Sequence, residues 1–429
     1  MKIVITIFFL AIAFFAIYKI KMYRTKGINK HWFAAVFAIK VILASVMFFM
    51  YSSTPEIKKD ADIFRFYNDA QVIYKSIKTE PTIFFKLIFN NTEDSKLKPY
   101  YKKMNNWDYS YGSQIFSNNR FLIRYFAIFS IITFGSYGAM VVITIFLSFT
   151  GLFWIFKFFN SKIKNNKILI FILVFLTPSI AFWSSGILKE SLLIFLIGLV
   201  LNCGNYALKG KSPLIRSVIV LLALVAIFQI KAIILLLLIP SIIAYLWAHY
   251  IPSQRIIIPY FIVFFSFFSI ASESNSFMNK GLFEILQDKQ SGFIEVAQQY
   301  DAKSIISPIS FDANSISVAA NSPIAVINVL FRPALWEANN IQSFASAIEN
   351  LAIFVSLLLV IAFPRKEIDN KNIFMLSISF AFSYIIIIGL GTPILGAISR
   401  YRIIPLLFVE MSILQLIDTT RIKSFFPFK

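Results

Sequence analysis

Long apolar runs, each closed by a basic residue or a polar turn, succeed one another along this 429-residue chain. Roughly 17–25 apolar residues suffice for an α-helix to cross the hydrocarbon core of a bilayer. About eleven such runs can be drawn, near 3–18, 32–51, 137–156, 168–184, 190–207, 214–229, 231–248, 256–272, 348–363, 373–390 and 402–418. They predict an all-α, polytopic membrane protein, a single integral membrane domain over residues 1–429 with about eleven transmembrane helices. Two polar stretches, 52–136 and 273–347, interrupt the series and are too long to be mere connections. In the first, Asp62, Phe66, Asp69 and Ile73 recur at spacings of three and four, which predicts an amphipathic helix with both acids on one face. The apolar segment 121–134 follows, too short to span and opened by Arg120 and Arg124, and reads as a helix lying at the interface. The second stretch carries the turn signals Ser307-Pro308 and Ser322-Pro323.

Composition agrees with the pattern. A mean hydropathy of +0.74, with 58% hydrophobic and 14% charged residues, excludes an ordinary soluble domain. The one cysteine, Cys203, lies in an apolar run and excludes an intrachain disulfide framework. The run 3–18 has no small-residue cleavage pattern after it and reads as a retained anchor.

Charge orients the spans. The net charge of +20 would suit a nucleic-acid partner, but the basic residues punctuate the apolar runs, so the positive-inside rule accounts for them and no nucleic-acid partner is expected. With the basic loop 19–31 on the cytoplasmic side, alternation places 157–167, 208–216, 249–255, 364–372 and the tail there too, and each carries Lys or Arg. Seventeen of the 21 acidic residues then fall on the outer face, in 51–120, in 273–349 and at Glu190. A chain that keeps its carboxylates outside is expected to do its chemistry there, in the inner membrane of a bacterium with the active site facing the periplasm or exterior.

The only histidines, His31 and His249, map to the cytoplasmic side. No outer histidine is therefore available as a general base or metal ligand, or as partner to a nucleophilic serine or cysteine. General base work falls to a carboxylate. Asp60 and Asp62 lie just outside the second span, where close carboxylates can raise one pKa or permit a divalent cation, Mg2+ or Mn2+, without requiring it. The competing structural reading is an aspartate at a helix N-terminus. Glu190 opens a span after the turn Ser184-Ser185-Gly186-Ile187-Leu188, at a depth where a charge must be paired or hydrated. Lys189, Lys231, Arg332, Arg400 and Arg402 form a layer of cations at membrane level that suits a lipid phosphate or pyrophosphate. Snorkelling to lipid headgroups is their plain alternative. Trp107, Tyr109, Tyr111 and Trp336 offer faces for stacking on sugars or for an interfacial aromatic belt, and Glu410 lies midway through the last span.

Three of these features resemble the GT-C superfamily of membrane glycosyltransferases, the mannosyl- and arabinosyltransferase-like enzymes that use polyprenyl-phosphate-linked sugars. They are Asp60/Asp62 followed by the aromatic helix through Phe66-Tyr67, the Pro178 turn ending in Glu190, and the interfacial helix 121–134. The likeness covers about half the chain, roughly 52–250, and departs from the pattern in placing the acidic loop after the second span. The C-terminal third, through Arg332 and Arg400-Tyr401-Arg402, equally resembles Wzy-type polysaccharide polymerases. What the first resemblance implies is a transferase moving a sugar from a polyprenyl-phosphate carrier to a glycan, lipid or protein acceptor, with Asp62 as general base. The second implies a polysaccharide or O-antigen polymerase. A lipid-linked oligosaccharide transporter is a third expectation, although the paired repeats common in transporters are not evident.

Overall fold

A computed structural model of the chain describes residues 1–89, 94–107, 118–164, 167–251, 255–299 and 304–425. These residues are overwhelmingly helical, with no named β-strand among them. Among the described residues seven helices are long and apolar enough to cross a membrane: Lys2–Lys19, Lys30–Tyr51, Tyr137–Asn160, Lys189–Leu208, Pro213–Tyr250, Ile341–Ala362 and Lys371–Gly391. Four more are apolar but shorter, Lys167–Leu176, Ile257–Ser272, Ser315–Phe331 and Ile403–Leu416. The two runs expected at 214–229 and 231–248 form two helical segments within Pro213–Tyr250, parted by non-helical backbone at Lys231. Ser315–Phe331 falls inside the stretch 273–347, where no apolar helix was expected.

Contacts gather into two compact units. The first is drawn from Met1–Ser110, Ser117–Lys157 and Ala181–Lys231; the second from Phe158–Ile180 and Ala232–Lys429. In the first unit, Tyr137–Asn160 and Lys189–Leu208 touch backbone to backbone at Gly151 and Gly198. A methyl group on Gly151 would come within 2.5 Å of the Ile194 carbonyl, so only glycine permits this approach. The amphipathic helix Asp62–Thr79 buries Ile63, Phe66, Ala70 and Ile73. Its principal partner is Asn119–Ile132, which buries Leu122, Ile123, Phe126 and Ala127. Polar ties fix the pair, from Gln71 Nε2 to Ser130 Oγ at 2.9 Å and from the Tyr67 hydroxyl to the Gly135 carbonyl at 2.7 Å. The short arginine-led segment is thus a 14-residue helix that covers the Asp62 helix. In the second unit, Lys371–Gly391 is the centre, packed by Ser315–Phe331, Ile403–Leu416 and the amphipathic helix Leu282–Gln299.

Candidate functional site

In the first unit the chain breaks helix between Trp183, which ends a short helix, and Lys189, which opens the next. Such a break frees carbonyl groups that must find donors at membrane depth. Three side chains supply them. Lys40 Nζ, on a side chain only 1% exposed, donates to the Ser184 carbonyl at 3.0 Å and also meets the Ser184 hydroxyl. Ser148 Oγ donates to the same carbonyl at 2.6 Å, and Ser191 Oγ to that of Gly186 at 2.8 Å. Lys40 went unnoticed in the apolar run 32–51, although an ionisable residue inside such a run is itself a signal.

The turn presses on the start of the Asp62 helix. A Cβ on Gly186 would stand 2.7 Å from Met47 Sδ and 3.4 Å from Ile63 Cγ2, so a side chain there would push the two apart. Just beyond, Lys189 and Glu190 are 5% and 1% exposed, and Lys189 Nζ lies 5.7 Å from the centre of the Phe66 ring. That is within the range of a cation–π contact, stronger here for being desolvated. Asp62 is the first residue of its helix, half-buried, with Ala61 as the cap. Asp62, Lys189, Glu190 and Lys231 are all engaged by partners within the molecule. Lys231, 6% exposed, marks the break in Pro213–Tyr250, and the neighbouring Ile230 carbonyl accepts from the Asn118 N–H at 3.2 Å.

Asp60 behaves differently from Asp62. It ends the helix Pro55–Asp60, is exposed, and pairs with Arg65 Nη2 at 2.6 Å. Extended backbone at Ala61 separates the two aspartates, so they do not share one helix face. Among the described residues, no three His, Cys, Asp or Glu side chains gather as metal ligands.

Asp69 is buried, and its two oxygens accept from the Asn105 N–H at 2.9 Å and the Asn106 N–H at 2.7 Å. Burial raises its pKa, against the pull of these two bonds and of Arg65. It clasps the loop beside Trp107, which is itself buried, stacked on Tyr101 at 4.8 Å and faced by the Arg120 and Arg124 guanidinium groups. Trp107 is therefore not open to a ligand. Tyr109 and Tyr111 lie outside the described residues.

The C-terminal cations belong to the second unit. Arg402 is fully buried; Nη1 donates to the Val329 carbonyl at 2.8 Å and Asn350 Oδ1 at 2.6 Å, and Nη2 to Glu349 Oε1 at 2.7 Å. Glu349 also accepts from the Ser179 N–H at 2.7 Å and hydroxyl at 2.8 Å. Glu410 meets the Thr177 hydroxyl at 2.8 Å. Glu349 figured in the sequence only as the end of a polar stretch, and nothing local singles it out as the counter-ion of Arg402. Arg400 is half-buried and engaged. Arg332 Nε donates to Glu337 Oε1 at 2.9 Å, while Glu337 Oε2 accepts from the Ala334 N–H at 2.8 Å. The hydrogen bond from Arg332 holds the Glu337 carboxyl below the usual range.

Beside this pair opens a cleft of about 390 Å³, lined among others by Ser304, Arg332, Trp336, Glu337, Gln342, Ser346 and Ser399. Of the five cations expected to hold a phosphate, Lys189 and Lys231 thus fall in the first unit, and Arg332, Arg400 and Arg402 in the second. Comparison with protein-family models, curated proteins and solved structures gives no match.

Proposed function

We propose that this chain is a membrane glycosyltransferase that takes a sugar from a polyprenyl-phosphate carrier and passes it to a glycan, lipid or protein acceptor. The observation that supports the reading is the broken helix of the first unit. It brings buried Lys189 against Phe66, four residues along the helix that Asp62 opens, with buried Glu190 next to Lys189 in the chain. A desolvated cation and carboxyl groups in one unit are the equipment glycosyl transfer from a lipid phosphate needs. One group accepts the acceptor's proton, and another stabilises charge on the departing phosphate.

In this reading Asp62 is the general base and Glu190 orients the acceptor or supports the base. Lys189 and Lys231 neutralise the leaving phosphate. Asp60, held by Arg65, acts at most on the electrostatics of Asp62. Arg402 holds helices together in place of touching lipid, because it is fully buried and its Nη1 and Nη2 groups serve Glu349, Asn350 and Val329. The protein works in the bacterial inner membrane with this face toward the periplasm.

The test uses a deletion strain complemented with wild-type or variant protein, with insertion checked in isolated membranes. Asp62→Asn and Glu190→Gln should insert normally and lose transfer, whereas Asp60→Asn should retain it. An active Asp62→Asn protein would sink the assignment.

One observation favours a second reading, a Wzy-type polymerase: a polar cleft forms around Arg332. On that reading Arg332→Ala and Arg400→Ala abolish chain extension while Asp62→Asn is tolerated.

A further inference from the structure

We propose that the cleft beside Arg332 is a saccharide-binding site, taking a segment of neutral, hydroxyl-rich glycan. Its volume of about 390 Å³ lies in the range of small-ligand sites. Charge narrows the ligand. The lining carries one cation and one anion, Arg332 and Glu337, and they are paired with each other. A phosphate group calls for uncommitted cations. A paired guanidinium and carboxylate instead offer adjacent donors and acceptors, which suits neighbouring hydroxyls on a sugar ring.

The other polar groups point the same way. Gln342, Ser346 and Ser399 line the cleft, and none makes a side-chain hydrogen bond to protein among the described residues. Ser346 and Ser399 are only 7% and 4% exposed, so their hydroxyls depend on whatever fills the cleft. An apolar tail would leave them unmet. Trp336 completes the set. It lines the same cleft yet is 87% exposed, an indole face with no packing of its own. Such a face stacks on the apolar side of a sugar while the ring hydroxyls reach the polar wall. Trp107, the other tryptophan considered for this role, is already covered.

The assignment rests on the transferase reading only in taking the glycan to be a substrate; the binding itself is separable from the chemistry. The test is calorimetric titration of the purified, detergent-solubilised chain with neutral trisaccharides of glucose, mannose and N-acetylglucosamine, and with inorganic phosphate. The expected result is saturable binding of at least one trisaccharide. Trp336→Ala should weaken it about tenfold and Gln342→Ala several-fold, and equimolar phosphate should not displace it. Because Trp336 is exposed, its replacement leaves the fold intact. Three results overturn the proposal: no saturable binding of any trisaccharide at millimolar concentration, binding indifferent to both substitutions, or displacement by phosphate. The third would make the cleft a headgroup site, and indifference to substitution would leave Trp336 as an interfacial anchor. Asp62→Asn should bind the trisaccharide as wild type does. If that variant also retains transfer, the transferase reading falls and the cleft stands; if the wild type binds no sugar, the cleft falls and the reading stands.

Discussion

Replacing Arg402 with methionine removes a fully buried guanidinium that makes three hydrogen bonds, one of them to the Glu349 carboxylate. Glu349 would keep only the N–H and hydroxyl of Ser179, and the Val329 carbonyl would lose its side-chain donor. Removing one member of a buried pair costs about 3–5 kcal/mol, because an uncompensated charge stays behind. Removing both charges together is often nearly neutral, since their desolvation penalties vanish with their attraction. Arg402→Met should therefore destabilise the protein by about 3–5 kcal/mol, and Glu349→Leu by a similar amount. The double variant should fall well short of the sum, with a coupling of about 2–3 kcal/mol. The assay is denaturant-induced unfolding of the four proteins in mixed micelles, followed by tryptophan fluorescence. Additive losses, or a loss under 1 kcal/mol for Arg402→Met alone, would refute the clamp and return Arg402 to the surface chemistry of a lipid phosphate.

Lys40→Met takes one of two side-chain donors from the Ser184 carbonyl, leaving Ser148, and should loosen the turn before Lys189, seen as faster labelling of a cysteine placed at Ser185; labelling as slow as in the unaltered turn would contradict this. Gly198→Leu forces a side chain against the backbone of Gly151 and should cost more than the roughly 1–3 kcal/mol typical of overpacking, measured by unfolding in micelles. The pH response has opposite signs at two carboxyls. Glu337, whose pKa is depressed in the folded chain, stabilises its loop above the ordinary glutamate range and loses that contribution as pH falls through its folded value. Proteolysis near Trp336 should accordingly rise in acid. Asp69, whose pKa burial raises, binds its proton more tightly folded than unfolded, so the folded state gains as pH falls from neutral even though the bonds from Asn105 and Asn106 favour the carboxylate. Unfolding in micelles across a pH series reports it, and Asp69→Asn should remove the pH response.

The helices were legible because hydropathy and period are local. Runs such as 373–390 and 190–207 reappear as Lys371–Gly391 and Lys189–Leu208 with ends moved by a residue or two. The helix over Asp62, Phe66 and Ile73 followed from spacing alone. Ser315–Phe331 escaped because Ser317, Asn321, Ser322 and Pro323 dilute its first half, while burial of Val318, Ala325 and Val329 is a tertiary fact. The break at Lys231 was readable as a charge between two apolar runs, and the helical backbone is interrupted there. Site residues divide on the same line. Glu190 and Lys189 were visible as charges at a span's edge. Lys40 with Ser184, and Arg402 with Glu349, join positions 144 and 53 residues apart, and no local pattern encodes such a pairing. The two aspartates stand two positions apart in sequence, yet the single extended residue between them, Ala61, gave them different surroundings.

The central claim is that a carboxylate-based glycosyl transfer is carried out by the first unit. Its most direct test is the composition of surface glycans, resolved on gels and by mass spectrometry, from a deletion strain complemented with wild-type or Asp62→Asn protein. The account predicts that the deletion strain lacks one sugar from an otherwise complete glycan, lipid or protein. Wild type should restore it, and membrane-inserted Asp62→Asn should not. Glycans capped at a single repeat, or full restoration by Asp62→Asn, would contradict it.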